Sequence, residues 1–331
     1  MAGKQQSSEP PSLITSLPQD VIFDILSRLS RFDYPALSLV CKHFRSIAAS
    51  PELFTTRSLL GRTEQCLYVV LSNMGELYSN RFYILCQKAD GERRLGLIPS
   101  LPAIHTYFSY AKMGYLAVGS RIYVFGQSTT DRMMSLSIDC VSHTVQLLPS
   151  MPVTMCNTVA DIIEGRIYVI GYHNRNDWKR KMVVLNTETQ MWEPEMIWLD
   201  DSDCYICNNS CVVMADKLYT RNSANSFFYD PKENKWETDE MLDLKIWHNA
   251  CVIDDVLYYL DFYEKELRAY DGKKRCWQVV KGLEALLSET TRYRIEVWSP
   301  KTVSYDGKLD LFFHSLRRHE DKLCEVWCAE I

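Results

Sequence analysis

The spacing of apolar residues changes once along this chain, near residue 66. From Leu17 to about Leu60 it is helical. Val21, Ile25, Leu26 and Leu29 fall on one face, and Leu37, Val40, Cys41, Phe44 and Ile47 on another. Ser16 or Asp20 is placed to cap the first helix, with Pro18 near its start. Pro35 stands where a second helix can begin, and Ser50-Pro51 marks a break. Residues 1–12 are polar, carry a Pro pair and read as a disordered tail. The pattern therefore predicts a module of two or three short helices over residues 13–60. So few residues bury little surface, and such a unit is expected to dock on something.

The remainder, residues 61–331, reads as all-β. Short runs rich in β-branched and aromatic residues alternate with Gly, Asp and Asn turns. An internal repeat runs through it. Five segments share an apolar strand, a tight turn and a second strand: 118–126, 163–171, 214–219, 253–260 and 305–312. Downstream of four of them an apolar run ends in Asp or Asn. Six residues later stands Trp in three copies, Asn186 to Trp192, Asp230 to Trp236 and Asp271 to Trp277, and Val in Asp139 to Val145. These Asp/Asn positions step by 47, 44 and 41 residues. A period in the forties with about four strands per unit predicts a β-propeller. Residues 66–98 read as a further, degenerate unit, which makes six blades, with five as the alternative count. The strand at 324–328 is expected to close the ring beside that first unit, because an open sheet edge invites pairing.

The β region resembles kelch repeats. The residues that carry the resemblance are Gly126 and Gly171 at strand ends, the pairs Tyr229-Asp230 and Tyr270-Asp271, and the recurrent Trp. The usual Gly-Gly doublet is single or lost. The N-terminal stretch resembles an F-box through Leu17-Pro18, the Ile25-Leu26-x-x-Leu29 spacing, and Val40-Cys41-Lys42 ahead of Phe44-Arg45, where Trp is commoner than Phe. Together they are similar to the plant F-box/kelch-repeat proteins. That resemblance implies a Skp1-type adaptor as partner, cullin and RING subunits through it, and a target protein on the propeller. Adaptor contacts are expected from Leu17, Pro18, Val21, Ile25, Leu26, Leu29, Leu39, Val40, Cys41 and Phe44.

In an up-and-down blade the first and third turns share one face of the disc. The second turn and the inter-blade connection share the other. The latter loops are longer and richer in polar and aromatic residues, and variable loops on a rigid scaffold carry recognition. Target contacts are expected there from Tyr172, Arg175, Trp178, Arg180, Arg221 and Trp247, the residue types enriched at binding hot spots.

Composition narrows the alternatives. The chain has 331 residues, 47% of them apolar, enough for a sizeable core. Lys plus Arg is 37 against 42 for Asp plus Glu, a net charge of −5, which argues against a nucleic-acid partner held by bulk charge. No apolar run is long enough for a membrane span. The first residues lack an apolar signal segment. Twelve cysteines in such a chain read as reduced thiols, and so as a cytosolic or nuclear location.

No cofactor is expected. The most metal-like spacing is Cys204-x-x-Cys207-x-x-x-Cys211, but a closed zinc site needs a fourth ligand, which His248 or Cys251 would have to supply through the fold. The seven histidines form no tight cluster, and no Gly-rich phosphate loop is present. The copper ligands of a propeller oxidase cannot be placed. The periodic Trp read as core packing, and Trp236→Ala is expected to cost about 3–5 kcal/mol. Three functions follow in order: a ubiquitin-ligase substrate receptor with no catalytic group, a propeller scaffold whose F-box binds nothing, and an enzyme with its site in the central channel.

Overall fold

The structure is a computed structural model that describes residues 17–73, 78–87, 93–106, 113–127, 133–172, 179–199, 210–222, 225–261, 263–290, 300–305, 307–316 and 324–331. Four α-helices form the N-terminal module: α1 (Gln19–Ser27), α2 (Tyr34–Val40), α3 (Lys42–Ala48) and α4 (Pro51–Leu59). That is one or two more than the apolar spacing indicates. Ser50-Pro51 opens α4 where the spacing reads as a break. Ser50 Oγ accepts from Leu53 N–H at 3.4 Å, and Pro51 occupies the first turn, where a missing N–H costs nothing. Cys41 does the same for α3, its Sγ accepting from Phe44 N–H. Pro18 is the residue before α1, and no side chain caps that helix, Asp20 included. Ser16 lies outside the described residues.

Six antiparallel sheets follow, and they are the blades of a six-bladed propeller. Blade 1 holds β1 (Tyr68–Asn73), β2 (Tyr78–Gln87), β3 (Arg93–Leu97) and β4 (Ile104–Thr106). Blade 2 holds β5 (Gly114–Val118), β6 (Arg121–Gln127), β7 (Met133–Asp139) and β8 (Thr144–Leu147). Blade 3 holds β9 (Cys156–Ile163), β10 (Arg166–Tyr172), β11 (Arg180–Asn186), β12 (Met191–Trp192) and β13 (Ile197–Leu199). Blade 4 holds β14 (Ser210–Met214), β15 (Lys217–Arg221), β16 (Ser226–Asp230) and β17 (Lys235–Thr238). Blade 5 holds β18 (Cys251–Ile253), β19 (Val256–Asp261), β20 (Glu266–Asp271) and β21 (Cys276–Val279). Blade 6 holds β22 (Lys301–Tyr305), β23 (Lys308–Leu316) and β24 (Cys324–Glu330). Short helices α5 (Glu240–Asp243) and α6 (Glu284–Thr290) lie in connections between blades. The inner strands meet in sequence, β5 on β9, β9 on β14, β14 on β18, β18 on β22.

The repeated polar residues have a local cause. Asp139, Asn186, Asp230 and Asp271 each end a third strand, and each side-chain oxygen accepts a backbone N–H two residues on: Val141, Glu188, Lys232 and Lys273, at 2.9–3.0 Å. Four residues after each comes a left-handed residue: His143, Gln190, Asn234 and Arg275. Three first turns, Glu164-Gly165, Ala215-Asp216 and Asp254-Asp255, have φ positive at both positions, the two-residue hairpin that suits twisted strands. Gly171 is required by crowding: a Cβ there would stand 3.0 Å from Cys156 O and Met155 Cβ.

Blades 2 to 5 each bury both faces. In β6, Ile122 and Val124 pack toward blade 1 with Phe82 and Ile104, while Tyr123 and Phe125 pack toward blade 3 with Ile167 and Val169. Similar cores join blades 3 and 4, 4 and 5, and 5 and 6. Hydroxyls fasten the seams. Thr158 Oγ1 of blade 3 donates to Phe125 O of blade 2 at 2.7 Å and accepts from Gly114 N–H at 3.0 Å. Thr302 of blade 6 bonds to Asn249 O and Tyr258 O. β24 pairs with β23 over seven residues, so it completes blade 6 and does not join the first sheet. It meets blade 1 through Arg93 Nη1 and Cys328 Sγ at 3.6 Å.

Trp192, Trp236 and Trp277 are half-buried on the outer strands, less enclosed than their periodicity suggests. The indole N–H of Trp277 also donates to Met241 O at 2.9 Å, and its ring lies 5.0 Å from Tyr270. Half-burial lowers the expected cost of Trp236→Ala to about 2–3 kcal/mol, and Trp277→Ala is expected to exceed it by about 1 kcal/mol for the lost bond. Chemical unfolding of the two variants checks the order.

A second prediction concerns pH. Burial pushes the Asp161 carboxyl up to about 6, against the opposing backbone bonds from Ile162 and Val213. The unfolded chain ionises this group near pH 4, so the folded state holds an extra proton between about 4 and 6. This contribution to stability is complete below that window and is lost as pH rises through 6. Asp161→Asn keeps an acceptor for both amides. It is expected to gain up to about 3 kcal/mol on wild type between pH 4 and 7. Parallel urea titrations at the two pH values read it, and identical pH slopes would refute the assignment.

Candidate functional site

Helix α1 carries two apolar stripes, each at four-residue spacing. Ile22 and Leu26 point inward and form the core of the module with Tyr34, Phe44, Ile47 and Leu53. Leu17, Val21, Ile25 and Leu29 form the second stripe and are exposed. At the end of α2, Leu39 is 80% exposed and Val40 67%. Two of the expected partner-contact residues are therefore corrected: Leu26 and Phe44 are 4% and 5% exposed and hold the module together. Cys41 is half-buried and caps α3, and Pro18 is exposed at the helix start. What remains is an apolar surface that the module could have buried and does not. Such a surface marks a partner site.

The module stands on one particular face of the disc. Arg31, in the turn between α1 and α2, reaches Cys66 Sγ at 3.7 Å, Tyr68 Oη at 3.5 Å and the carbonyl of Cys140. Tyr68 Oη also lies 3.0 Å from His143 Nε2, and burial together with the Arg31 charge holds that imidazole below its ordinary pKa. Arg31 N–H donates to Glu64 at 2.9 Å, and Glu64 pairs with the buried Arg57 at 3.2 Å. Tyr305 Oη donates to Gln65 O at 3.1 Å. Tyr68 opens β1, Cys140 and His143 form the β7–β8 turn, and Tyr305 ends β22. All belong to the face of short turns. Among the described residues, these bonds from the module and its connector to the propeller all fall on that face.

On that loop face the structure corrects four expected target contacts. Tyr172, Arg180, Arg221 and Trp247 are at most 2% exposed. Arg180, the first residue of β11, donates to Thr220 Oγ1 of the next blade at 2.5 Å and lies over the Phe227 ring. Arg221 ends β15 and bonds to Ser226 Oγ at 2.8 Å and Asp243 at 3.3 Å. Trp247 Nε1 donates to the same Ser226 Oγ at 3.0 Å. Burial lowers the Arg221 pKa, with Asp243 opposing that shift. These side chains tie blade 4 to its neighbours and offer no surface to a partner. Arg175 and Trp178 lie outside the described residues.

The exposed apolar residues of this face are others. Leu244 and Ile246 stand in the blade 4–5 connection, and Tyr263, 92% exposed, in the β19–β20 turn. The alternation Leu244-Lys245-Ile246 outside any strand pairing is the sequence signal that could have found two of them.

Cys204 and Cys207 also lie outside the described residues. Cys211 is enclosed in the wall of blade 4, where burial raises its thiol pKa well above the ordinary value. Among the described residues no group of three or more His, Cys, Asp or Glu is placed to hold a metal ion, and no helix is long and apolar enough to cross a membrane.

Comparison with known proteins agrees with this two-part architecture. Residues 14–56 match the F-box domain, and residues 82–331 match the FKB95 kelch-repeats domain. The F-box/kelch-repeat protein At4g38940 of Arabidopsis thaliana is 40% identical over all of this chain and 88% of its own length. The F-box/kelch-repeat proteins At4g39550 and At5g39560 of the same plant are 33% and 34% identical, over 99% and 98% of this chain and 88% and 85% of their own. With its helical module mounted on a six-bladed propeller, the chain belongs to the F-box/kelch-repeat family.

Proposed function

We propose that the chain is the substrate-recognition subunit of a Skp1–cullin–F-box ubiquitin ligase. The observation that carries this reading is the unburied stripe Leu17, Val21, Ile25 and Leu29, with Leu39 and Val40, on a module already holding a complete core. An amphipathic helix surface of this kind fits an apolar groove of a Skp1-type adaptor. The placement of the module on the short-turn face supports the same division of labour. The adaptor takes one end of the chain, and the loop face stays open for a target protein. The chain contributes no reacting group. A target lysine amine attacks the thioester of a ubiquitin-loaded enzyme held in the same assembly, an isopeptide bond forms and the enzyme thiol leaves. The chain acts through proximity alone.

The test is binding of the purified chain to a Skp1-type adaptor. Ile25→Asp combined with Val40→Asp places two charges on the exposed surface and leaves the module core intact. Affinity is expected to fall at least about a hundredfold, with the unfolding profile of the propeller unchanged. Leu26→Asp is the contrasting variant, since it unfolds the module itself. A well-folded wild-type chain that does not bind any such adaptor would remove the ligase reading in favour of a non-catalytic propeller scaffold.

A further inference from the structure

We infer that Arg31 is a positioning residue, which fixes the angle between F-box and propeller and so selects the lysines that reach the ubiquitin-loaded enzyme. The inference rests on the receptor reading and adds the element that sets its geometry.

Arg31 belongs to the F-box by sequence, but its guanidinium leaves the module. It stacks over Phe54 on the module side, with the ring centroid 5.4 Å away. On the other side it reaches a thiol of the connector, a hydroxyl of blade 1 and a carbonyl of blade 2. One planar fork thus joins three separate parts of the chain, a geometry the point charge of lysine cannot reproduce. The connector, residues 61–67, is held from both ends. Glu64 ties it to Arg31 N–H and to Arg57, and Tyr305 ties Gln65 to blade 6.

The module core is made by Ile22, Leu26, Tyr34, Phe44, Ile47 and Leu53, and the Arg31 head group touches only its edge, through Phe54. Nor does Arg31 belong to the exposed apolar surface. Folding of the module, adaptor contact and orientation therefore rest on different side chains. Orientation alone depends on a polar contact between a helical turn and the propeller.

The lysines whose modification would report orientation are present. Lys232, Lys273 and Lys274 are exposed on the third turns of blades 4 and 5, on the same face as the F-box. In a rigid receptor each keeps a fixed distance from the enzyme delivered through the adaptor. In a loosened one those distances become a distribution, and more lysines come within reach.

The experiment compares full-length wild type, Arg31→Ala and Arg31→Lys in two measurements. The first is hydrogen exchange of the amides of residues 62–67 in the free chain. The second is peptide mapping of the lysines that acquire ubiquitin in a reconstituted adaptor–cullin–RING ligase without added target. Arg31→Ala is expected to bind adaptor within about twofold of wild type. Exchange in the connector should rise about tenfold, as loss of one charge-assisted bond network permits. The modified lysines should spread from a restricted set to a wider one, and Arg31→Lys should follow Arg31→Ala. A merely stabilising residue would shift the unfolding curve without widening the lysine set. An adaptor-bound Arg31→Ala with unchanged exchange and unchanged lysines overturns the inference. If Arg31→Ala does not fold, Tyr68→Phe removes one of the three acceptors and gives the same two readouts. Failure of wild type to bind adaptor would remove lysine selection with the receptor reading, while exchange in the free chain still decides whether Arg31 holds the junction.

Discussion

Each blade of this propeller has to bury two faces at once. A sheet that faces solvent on one side can alternate apolar and polar residues, but a blade between two neighbours cannot. The second strands accordingly read as unbroken apolar runs, Ile122-Tyr123-Val124-Phe125 and Ile167-Tyr168-Val169-Ile170, whose alternate residues serve different seams. Polar groups that enter these seams must bring partners with them. Thr158 and Thr302 do so through backbone atoms of the neighbouring blade. Arg180 and Arg221 do so through Thr220, Ser226 and Asp243. The seams between these blades are thus filled and offer no room to an outside partner.

The F-box obeys the opposite rule. Its helices are short and its core is small, yet it leaves Leu39, Val40 and a whole stripe of α1 in water. A module of this size gains little stability from its own packing. Its seat on the propeller is polar and runs through Arg31, Tyr68 and the carbonyl of Cys140. The module is supported on one side by polar contacts and open on the other through apolar ones. Polar contacts have directional geometry and fix an angle. The apolar surface has area but no such directionality.

The repeat made most of the fold legible. Asp139, Asn186, Asp230 and Asp271 recur because each closes a turn with its side chain, and a turn needs the same local chemistry wherever it occurs. Strand partners are not written in a periodicity, and that of β24 is seen only in the fold: it pairs with its hairpin neighbour β23 and meets blade 1 at Cys328. The apolar stripe of α1 was visible, but whether Ile25 or Leu26 faces the core is a rotation of one residue, which tertiary packing decides. The residues expected to meet a target were read least well. Arg and Trp are hot-spot residues on a surface and seam residues in a wall, and sequence spacing does not distinguish the two. Arg221, Trp247 and Asp243 come together at Ser226 only after blade 4 and its connection are folded.

The separation of the two ends has a mechanical consequence. Strands of seven or eight residues in blades 2 and 3 set the thickness of the disc at about 25 Å. Buried seams on both faces of blades 2 to 5 keep that thickness fixed. A receptor that works by proximity gains from such a spacer, because a rigid span holds a target lysine at one distance from the enzyme. A flexible span of equal reach spreads the same lysine over a large volume and lowers its effective concentration. The weak point of the spacer is where two separately packed bodies meet. In this chain that place is a connector of a few residues, clasped at Glu64 and Cys66 by Arg31 and Arg57 from the helical side and at Gln65 by Tyr305 from the sheets. The rigidity of the propeller is useful to the F-box only as far as that clasp transmits it.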